Sequence, residues 1–264
     1  MNIAIITGAS SGMGAECVRQ INKAYTKLDE IWILARRLDR LQEVASFEGN
    51  ARIRPIAMDI TNEAHVDALI ECFREVKPSI RMLVNAAGCG IIGRFDDESL
   101  DDELDMIDLN CRALTAFTKI CLPYMKRNSR IINFASAAAF LPQPDFAVYS
   151  ATKSYVLSFS RALGEELRDK GIYVTSVCPG PVNTPFFRIA EKGGQTLAIK
   201  KLAMTEPGWV VDQALRDSYY KRPVSVYGLP IKGFACLTKL FPHSSILAGM
   251  SLLKRMELTK ESHR

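Results

Sequence analysis

The sequence contains little that would suggest a metal site or a disulfide-stabilised fold. Its seven cysteines, at 17, 72, 89, 111, 121, 178 and 236, form no Cys-x-x-Cys pair and show no metal-ligand spacing. Its three histidines, at 65, 243 and 263, are far apart. These residues therefore give no argument for a zinc site or for a Ser-His-Asp triad. We expect no metal, and buried free thiols in a reducing cytosol.

Charge of one sign and linker-like segments are also scarce. The net charge is only +5, and no block of like charges marks a nucleic-acid surface, so we expect no nucleic-acid partner. No Pro/Gly/Ser-rich linker or repeat divides residues 1–264, which favours one domain. An apolar run that begins at residue 2 leaves no room for a signal peptide, so we expect a cytoplasmic location.

The chain does contain a regular alternation of strand-like and helix-like stretches. The strand-like runs fall at 2–7, 30–35, 52–57, 80–85, 130–134, 173–177 and near 224–227. Such alternation predicts an α/β fold, with a parallel sheet and helices on both faces. Ligands of such sheets bind beyond the carboxyl ends of the strands. The residues at or just after these ends are Thr7, Ala35, Asp59, Asn85, Ser136 and Pro179.

A glycine-rich turn, Thr7 to Gly14, follows the first strand and leads into a helix-compatible stretch. A side chain at Gly8 or Gly12 would keep a pyrophosphate away from the backbone N–H groups. The helix start adds further donors and the favourable end of its dipole. Many such turns bind nothing, but the position after the first strand favours a dinucleotide site.

Tyr149 and Lys153 lie four residues apart, and Ser136 lies thirteen residues before the tyrosine. On a helix, the phenol and the ammonium would project from one face. A phenol titrates at about pH 10, and a fixed cation nearby lowers its pKa. The spacing is thus compatible with a proton-transfer pair, although a packed tyrosine beside a solvated lysine explains these residues alone equally well.

Taken in order, the motifs resemble the short-chain dehydrogenase/reductase family in its single-domain form. The resemblance runs from residue 2 to about residue 185. Its six motifs are Thr7 to Gly14, Asn85-Ala86-Ala87-Gly88, Asn110, Ser136, Tyr149 with Lys153, and Pro179-Gly180-Pro181-Val182-Asn183-Thr184. Ala86 replaces a second asparagine and Met13 a more usual isoleucine, and neither change removes a reacting group. The resemblance implies a doubly wound, seven-stranded, Rossmann-type parallel sheet, and a homodimer or homotetramer.

The resemblance also implies a mechanism. Ser136 and Tyr149 would hydrogen-bond the developing oxyanion, and Tyr149 would act as general acid/base. Lys153 would lower the phenol's pKa and bind the nicotinamide ribose. Asn110 would interrupt helical hydrogen bonding and hold a water that links Lys153 to solvent. The residues implied to bind the cofactor are Gly8, Ser10, Ser11, Gly12, Met13, Gly14, Arg36, Arg37, Asp59, Ile60, Asn85, Ala86, Gly88, Tyr149, Lys153, Pro179, Gly180, Val182 and Thr184.

The end of the second strand bears on the choice of cofactor. An acidic residue there would accept the ribose 2′-hydroxyl of NAD, whereas Ala35 leaves room for a 2′-phosphate and Arg36 supplies a bidentate donor. The sequence therefore favours NADP(H) over NAD(H). Two facts weigh against this: Arg36 and Arg37 also suit the start of a solvated helix, and Ser11 stands where the family often has a basic residue.

The substrate is predicted from apolar residues around the motifs. Phe186, Phe187, Ile189 and Gly193-Gly194 fall in a stretch, about 183–207, that forms a lid over the substrate in the family. Phe140, Leu141 and Pro142 are candidates for the facing wall. We expect a small hydrophobic ketone or secondary alcohol, of the hydroxysteroid, bile-acid or 3-oxoacyl type. The alternative is a catalytically silent NADP(H)-binding sensor or scaffold.

The C-terminal segment, about 229–264, departs from familiar members of the family. Its two amphipathic pieces, 233–241 and 246–253, are interrupted by Lys232, Lys239 and Pro242, so we expect no transmembrane segment. Three roles remain open: capping the substrate cleft, contacting a subunit, or resting on a membrane surface. Capping or subunit packing is favoured because positive charge is not concentrated here.

Overall fold

Seven strands pair side by side in one parallel sheet in the computed structural model, which describes residues 1–190 and 204–249 apart from the side chains of 187–189. The strands are β1 (Asn2–Thr7), β2 (Glu30–Ala35), β3 (Arg52–Ala57), β4 (Ser79–Asn85), β5 (Met125–Phe134), β6 (Tyr173–Val177) and β7 (Val224–Ser225). Their order is β3-β2-β1-β4-β5-β6-β7. Strands are added outward from β1 on one side and then from β4 on the other, so the strand order reverses between β1 and β4. Doubly wound sheets open a binding crevice at this point.

Helices connect the strands. They are α1 (Gly12–Ala24), α2 (Leu38–Ala45), α3 (Glu63–Val76), α4 (Leu100–Ile107), α5 (Leu114–Cys121), α6 (Ala147–Glu166), α7 (Pro185–Ala190), α8 (Pro207–Tyr219) and α9 (Leu229–Leu240). A π-helical turn (Asp108–Ala113) joins α4 to α5, and 3₁₀ turns lie at Leu122–Tyr124 and Ala137–Phe140. None of the helices in the described ranges is long and apolar enough to span a bilayer.

The central strand β1 shows how the sequence builds two cores. Successive side chains of a strand point to opposite faces of the sheet. Ala4 and Ile6 join the core layer that contains α1, whereas Ile3 and Ile5 join the layer on the other face. All four are fully buried. The apolar run of β1 is thus explained by a strand covered on both faces.

The structure confirms the predicted α/β fold with its doubly wound parallel sheet. Five strand runs lie at or within one residue of their predicted limits, but β5 begins five residues earlier and β7 ends two earlier. In the early part of β5, Asn128 has a φ of +68°, and the Ser129 hydroxyl donates to the backbone oxygen of Ile80 at 2.8 Å. Because these residues are polar, the sequence did not predict the first five residues of β5. Residues 191–203 of the predicted lid, with Gly193-Gly194, and residues 250–264 lie outside the described ranges.

Candidate active site

A cleft of about 780 Å³ opens at the carboxyl ends of the strands. Its walls come from the loops after β1, β2, β3, β4, β5 and β6, together with α6 and α9. The residues predicted as catalytic or cofactor-binding all line this cleft except Asn85 and Asn110. The fold therefore brings together in one site residues that are far apart in the sequence, from Gly8 to Thr184.

The glycine turn forms one end of the cleft. Gly8 has a φ of +66°, and a Cβ atom there would lie 2.6 Å from the backbone of Ala87. Any side chain at residue 8 would therefore push the turn away from the loop after β4. The start of α1 follows directly and lines the cleft at Gly12 and Met13. This close backbone approach, with a helix N-terminus, fits a pyrophosphate group.

Two arginines border the same end. Arg37 donates to the hydroxyl of Ser10 at 3.4 Å, which connects the end of β2 to the glycine turn. Burial acts to raise the pKa of Asp59, but hydrogen bonds from Thr61 and the positive charge of Arg36 bring that pKa below its usual value. Arg36 therefore lies close enough to the cleft to influence its charge. The small side chain of Ala35 leaves space beside it.

Tyr149 and Lys153 lie one turn apart on α6, as their spacing predicts. The Lys153 ammonium donates to the backbone oxygen of Phe134 at 2.9 Å and lies 5.6 Å from the centroid of the Tyr149 ring. Burial lowers the pKa of Lys153 to about 8, although nearby thiols at Cys89, Cys111 and Cys178 oppose this shift. The lysine is thus a buried and anchored cation, not a solvated one.

The environment of Tyr149 differs from the expectation. Burial raises the pKa of the phenol to about 12, while a hydrogen bond with the Ser136 hydroxyl opposes this rise. The ring stacks on Phe146, with centroids 4.1 Å apart, and contacts Phe186 at 5.6 Å. The predicted lowering of the phenol's pKa by Lys153 is not present in this structure, where burial dominates the pKa of Tyr149.

Asn110 lies in the π-helical turn between α4 and α5, so the predicted interruption of helical hydrogen bonding is present. Its amide nitrogen donates to the backbone oxygen of Cys89 at 2.9 Å, and its amide oxygen accepts from the Cys89 N–H at 3.0 Å. The amide nitrogen also donates to the Thr152 hydroxyl at 3.1 Å. Asn110 therefore ties the loop after β4 to the helix that carries Tyr149 and Lys153, from just behind the cleft.

Asn85 does not reach the cleft. Its side chain is buried and donates to the Thr118 hydroxyl at 3.0 Å and to the side-chain oxygen of Asn133 at 2.8 Å. These bonds connect β4 with α5 and β5. Asn85 was predicted to bind the cofactor, but its side chain points away from the cleft and supports the loop of Ala86 and Gly88, which does line it.

The apolar walls differ in part from the prediction. Phe186 lines the cleft as expected, but Phe140 packs in a core cluster, Leu141 is buried, and Pro142 is exposed, so the predicted facing wall is wrong. The sequence approach missed Gln143 and Phe146, and also Ile231 and Phe234 of α9. Phe146 is the N-cap residue of α6 with a φ of −154°, so helical spacing could not have placed its ring beside Tyr149.

All seven cysteines are free, but only Cys17, Cys121 and Cys178 are buried as expected. Cys72, Cys89 and Cys111 are partly exposed, and Cys236 is exposed. Within the described ranges, no group of three or more His, Cys, Asp or Glu side chains is arranged to hold a metal ion.

Comparisons with known proteins agree with this geometry. A family model described as short chain dehydrogenase matches residues 2–193. An uncharacterized oxidoreductase of Staphylococcus haemolyticus is 33% identical over 195 residues, which cover 73% of this chain and 83% of that protein. A second uncharacterized oxidoreductase, from Staphylococcus epidermidis, is 31% identical over 185 residues, or 69% of this chain and 79% of that protein.

Solved structures share the fold over nearly the whole chain. A short-chain dehydrogenase from Sphingobium yanoikuyae in complex with NADPH has a TM-score of 0.74 at 24% identity and covers 98% of this chain and 96% of that chain. A bulky-bulky ketone specific alcohol dehydrogenase from Comamonas testosteroni has a TM-score of 0.72 at 25% identity, over 97% of this chain and 94% of that chain. The chain belongs to the short-chain dehydrogenase family and is an oxidoreductase.

Proposed function

We propose that the protein is an NADP(H)-dependent oxidoreductase that interconverts a hydrophobic ketone and a secondary alcohol, with Tyr149 as general acid/base. One observation carries this proposal: Ser136, Tyr149 and Lys153 line the same cleft as the glycine turn. A proton donor, a hydroxyl and a buried cation therefore face a site whose backbone suits a dinucleotide phosphate.

The end of β2 supports the choice of NADP(H) as cofactor. Arg36 and Arg37 are exposed beside the cleft, and Ala35 offers no carboxylate that would repel a 2′-phosphate. Arg37 is already held towards the turn by its bond to Ser10. Two guanidinium groups at this position favour a phosphate over a hydroxyl. When bound, NADPH would supply the hydride that reduces a carbonyl carbon.

The proton that the substrate oxygen receives in reduction comes from a side chain of the protein. The Ser136 hydroxyl oxygen accepts the N–H of Ala138 at 3.1 Å, and the hydroxyl also hydrogen-bonds the Tyr149 phenol, a bond that a substrate oxygen would replace. Because the pKa of Tyr149 is about 12, the phenol is protonated at neutral pH and ready to donate. In reduction, the substrate oxygen takes the phenolic proton and becomes a hydroxyl. The ammonium of Lys153 stabilises the phenolate that is left.

The walls around Tyr149 support the proposed substrate class. Phe146 and Phe186 contact its ring, and they offer apolar surface next to the reacting hydroxyl. Two structural relatives carry related names: the bulky-bulky ketone specific alcohol dehydrogenase, and a 3-ketoacyl-(acyl-carrier-protein) reductase from Brucella melitensis complexed with NADH. Hydroxysteroids, bile acids and 3-oxoacyl thioesters are the substrate classes to test.

The test is consumption of NADPH, followed by absorbance, against a panel of aryl ketones, steroid ketones and 3-oxoacyl thioesters. Turnover of at least one apolar ketone, with NADPH favoured over NADH, supports the proposal. Tight NADPH binding without oxidation by any of these ketones would instead support a catalytically silent sensor or scaffold.

A further inference from the structure

One wall of the cleft comes from a helix that none of the motifs includes. Ile231 and Phe234 of α9 line the cleft. The inward positions of this helix repeat at the spacing of one helical face. They are Ile231, Phe234, Ala235 and Thr238. Ile231 and Thr238 are buried and the other two are half-buried, whereas Lys232, Cys236 and Leu240 on the outer side are exposed. The helix thus has a defined face towards the site.

A close contact fixes this helix against the cofactor end of β6. A Cβ atom at Gly180 would lie 2.5 Å from the Cδ1 atom of Ile231. The missing side chain at residue 180 therefore lets Ile231 pack onto the turn that follows β6, where it is only 5% exposed. Gly228, with a φ of +84°, turns the chain into α9. These two glycines thus fix the start of α9, the helix that carries Phe234.

The α9 wall lies near the reacting groups and is separate from the aromatic wall around Tyr149. The helix contacts the 3₁₀ turn Ala137–Phe140, which begins directly after Ser136. Ala137 and Ala138 of that turn also line the cleft. Phe146 and Phe186 form the other wall, in a cluster with Tyr149 that does not contain Phe234. A ketone held at Ser136 and Tyr149 would thus have apolar surface available for two substituents.

We propose that Ile231 and Phe234 form a specificity-determining subsite for a second bulky, uncharged substituent of the ketone. This inference rests on the proposed ketone reduction and narrows its substrate class to ketones with apolar groups on both sides of the carbonyl. Both residues that α9 contributes to the cleft are apolar, so the subsite gains from hydrophobic burial and offers no partner to a carboxylate or phosphate.

Steady-state kinetics with two ketones test the subsite. Acetophenone and benzophenone share one phenyl group and differ in the second substituent, methyl or phenyl. In Phe234→Ala, we expect KM for benzophenone to rise roughly tenfold, while KM for acetophenone, KM for NADPH and kcat change by less than about twofold. Phe234→Leu should recover part of the benzophenone KM. Leu240→Ala, on the outer face of α9 and 71% exposed, is the matched control and should resemble the unmodified enzyme.

A second measurement does not depend on turnover. Ultraviolet light excites benzophenone to abstract a hydrogen atom from a nearby C–H group, and the two resulting carbon radicals then join in a C–C bond. Irradiation of the full-length protein with benzophenone, without NADPH, followed by trypsin and mass spectrometry, should label the peptide 233–239 that contains Phe234. Acetophenone at the same occupancy should compete for the label.

The two measurements separate the possible failures. Labelling of 233–239 without reduction of any ketone would leave the subsite supported and contradict the proposed function. Ketone reduction with labelling confined to other peptides, or an equal rise in both ketone KM values in Phe234→Ala, would overturn the subsite and leave the proposed function intact. Absence of both labelling and ketone reduction would overturn both.

Discussion

The ammonium of Lys153 donates a hydrogen bond to the backbone oxygen of Phe134, the last residue of β5, at 2.9 Å. This bond anchors the charge at the carboxyl edge of the sheet, 5.6 Å from the centroid of the Tyr149 ring. Burial lowers the pKa of Lys153 to about 8 and raises that of Tyr149 to about 12. As pH rises, the lysine therefore loses its proton well before the phenol does.

This order predicts the pH dependence of ketone reduction. The rate constant kcat/KM should fall as pH rises through about 8, because the neutral amine no longer stabilises the phenolate that forms. Lys153→Arg should lower kcat but move the alkaline limb to higher pH, since a guanidinium stays charged. The measurement is a pH profile of NADPH oxidation from pH 6 to about pH 11. An unchanged limb in the arginine variant would assign the titration to another group.

Removal of the phenolic hydroxyl tests the proton donor directly. Tyr149→Phe should lower kcat by roughly 10²–10⁴-fold, the usual contribution of a general acid, and leave the dissociation constant for NADPH within about threefold. Tyr155→Phe is a matched control, because this tyrosine lies on the same helix and its hydroxyl pairs with Thr115 at 2.7 Å. Stopped-flow oxidation and fluorescence titration of NADPH measure the two quantities. Full turnover without the Tyr149 hydroxyl would show that the proton comes from elsewhere.

A charge reversal at the end of β2 tests the cofactor preference. Arg36→Asp should weaken NADPH binding by roughly 10–100-fold, since it would remove the proposed charge-assisted bond to the 2′-phosphate and add repulsion. NADH binding should change much less, because its ribose carries a hydroxyl there. Arg40→Asp is the matched control, because it makes the same charge change on α2 at a side chain that pairs with Glu43. Equal losses of both cofactors in Arg36→Asp would contradict the NADP(H) preference.

Much of the site could be predicted because its motifs are local in sequence. The four-residue spacing of Tyr149 and Lys153 places them on one face of α6 whatever surrounds that helix. The glycine turn and the strand ends likewise follow from short segments. Such features need no knowledge of which distant residues approach, so the predicted sheet and nearly all predicted cleft residues agree with the structure.

The corrections concern properties set by distant contacts. Asn85 follows the family pattern, but its side chain turns inward because Thr118 and Asn133 offer partners there. The pKa of Tyr149 depends on the burial of its ring, which packs on Phe146 and Phe186, and Ile231 packs closely onto Gly180 because that residue has no side chain. None of these contacts has a local signature in the chain.

The corrected position of Asn85 leads to a stability prediction. Its amide donates to Thr118 and Asn133, and the Asn133 amide in turn donates to the Ser160 hydroxyl at 2.9 Å. Asn85→Ala should lower the free energy of unfolding by about 2–4 kcal/mol, because it leaves buried acceptors unpaired and opens a small cavity. NADPH affinity, measured well below the melting temperature, should change by less than about threefold, since a buried tie between strands contributes no direct contact to a cofactor.

Urea unfolding and an NADPH titration measure the two effects of Asn85→Ala separately. Asn183→Ala is the surface control: its exposed side chain pairs with Glu206 at 3.0 Å, and its loss should change stability by less than about 0.5 kcal/mol. If Asn85→Ala weakened NADPH binding tenfold or more at unchanged stability, the side chain would have to contact the cofactor, and its buried bonds to β5 and α5 would not describe the working enzyme.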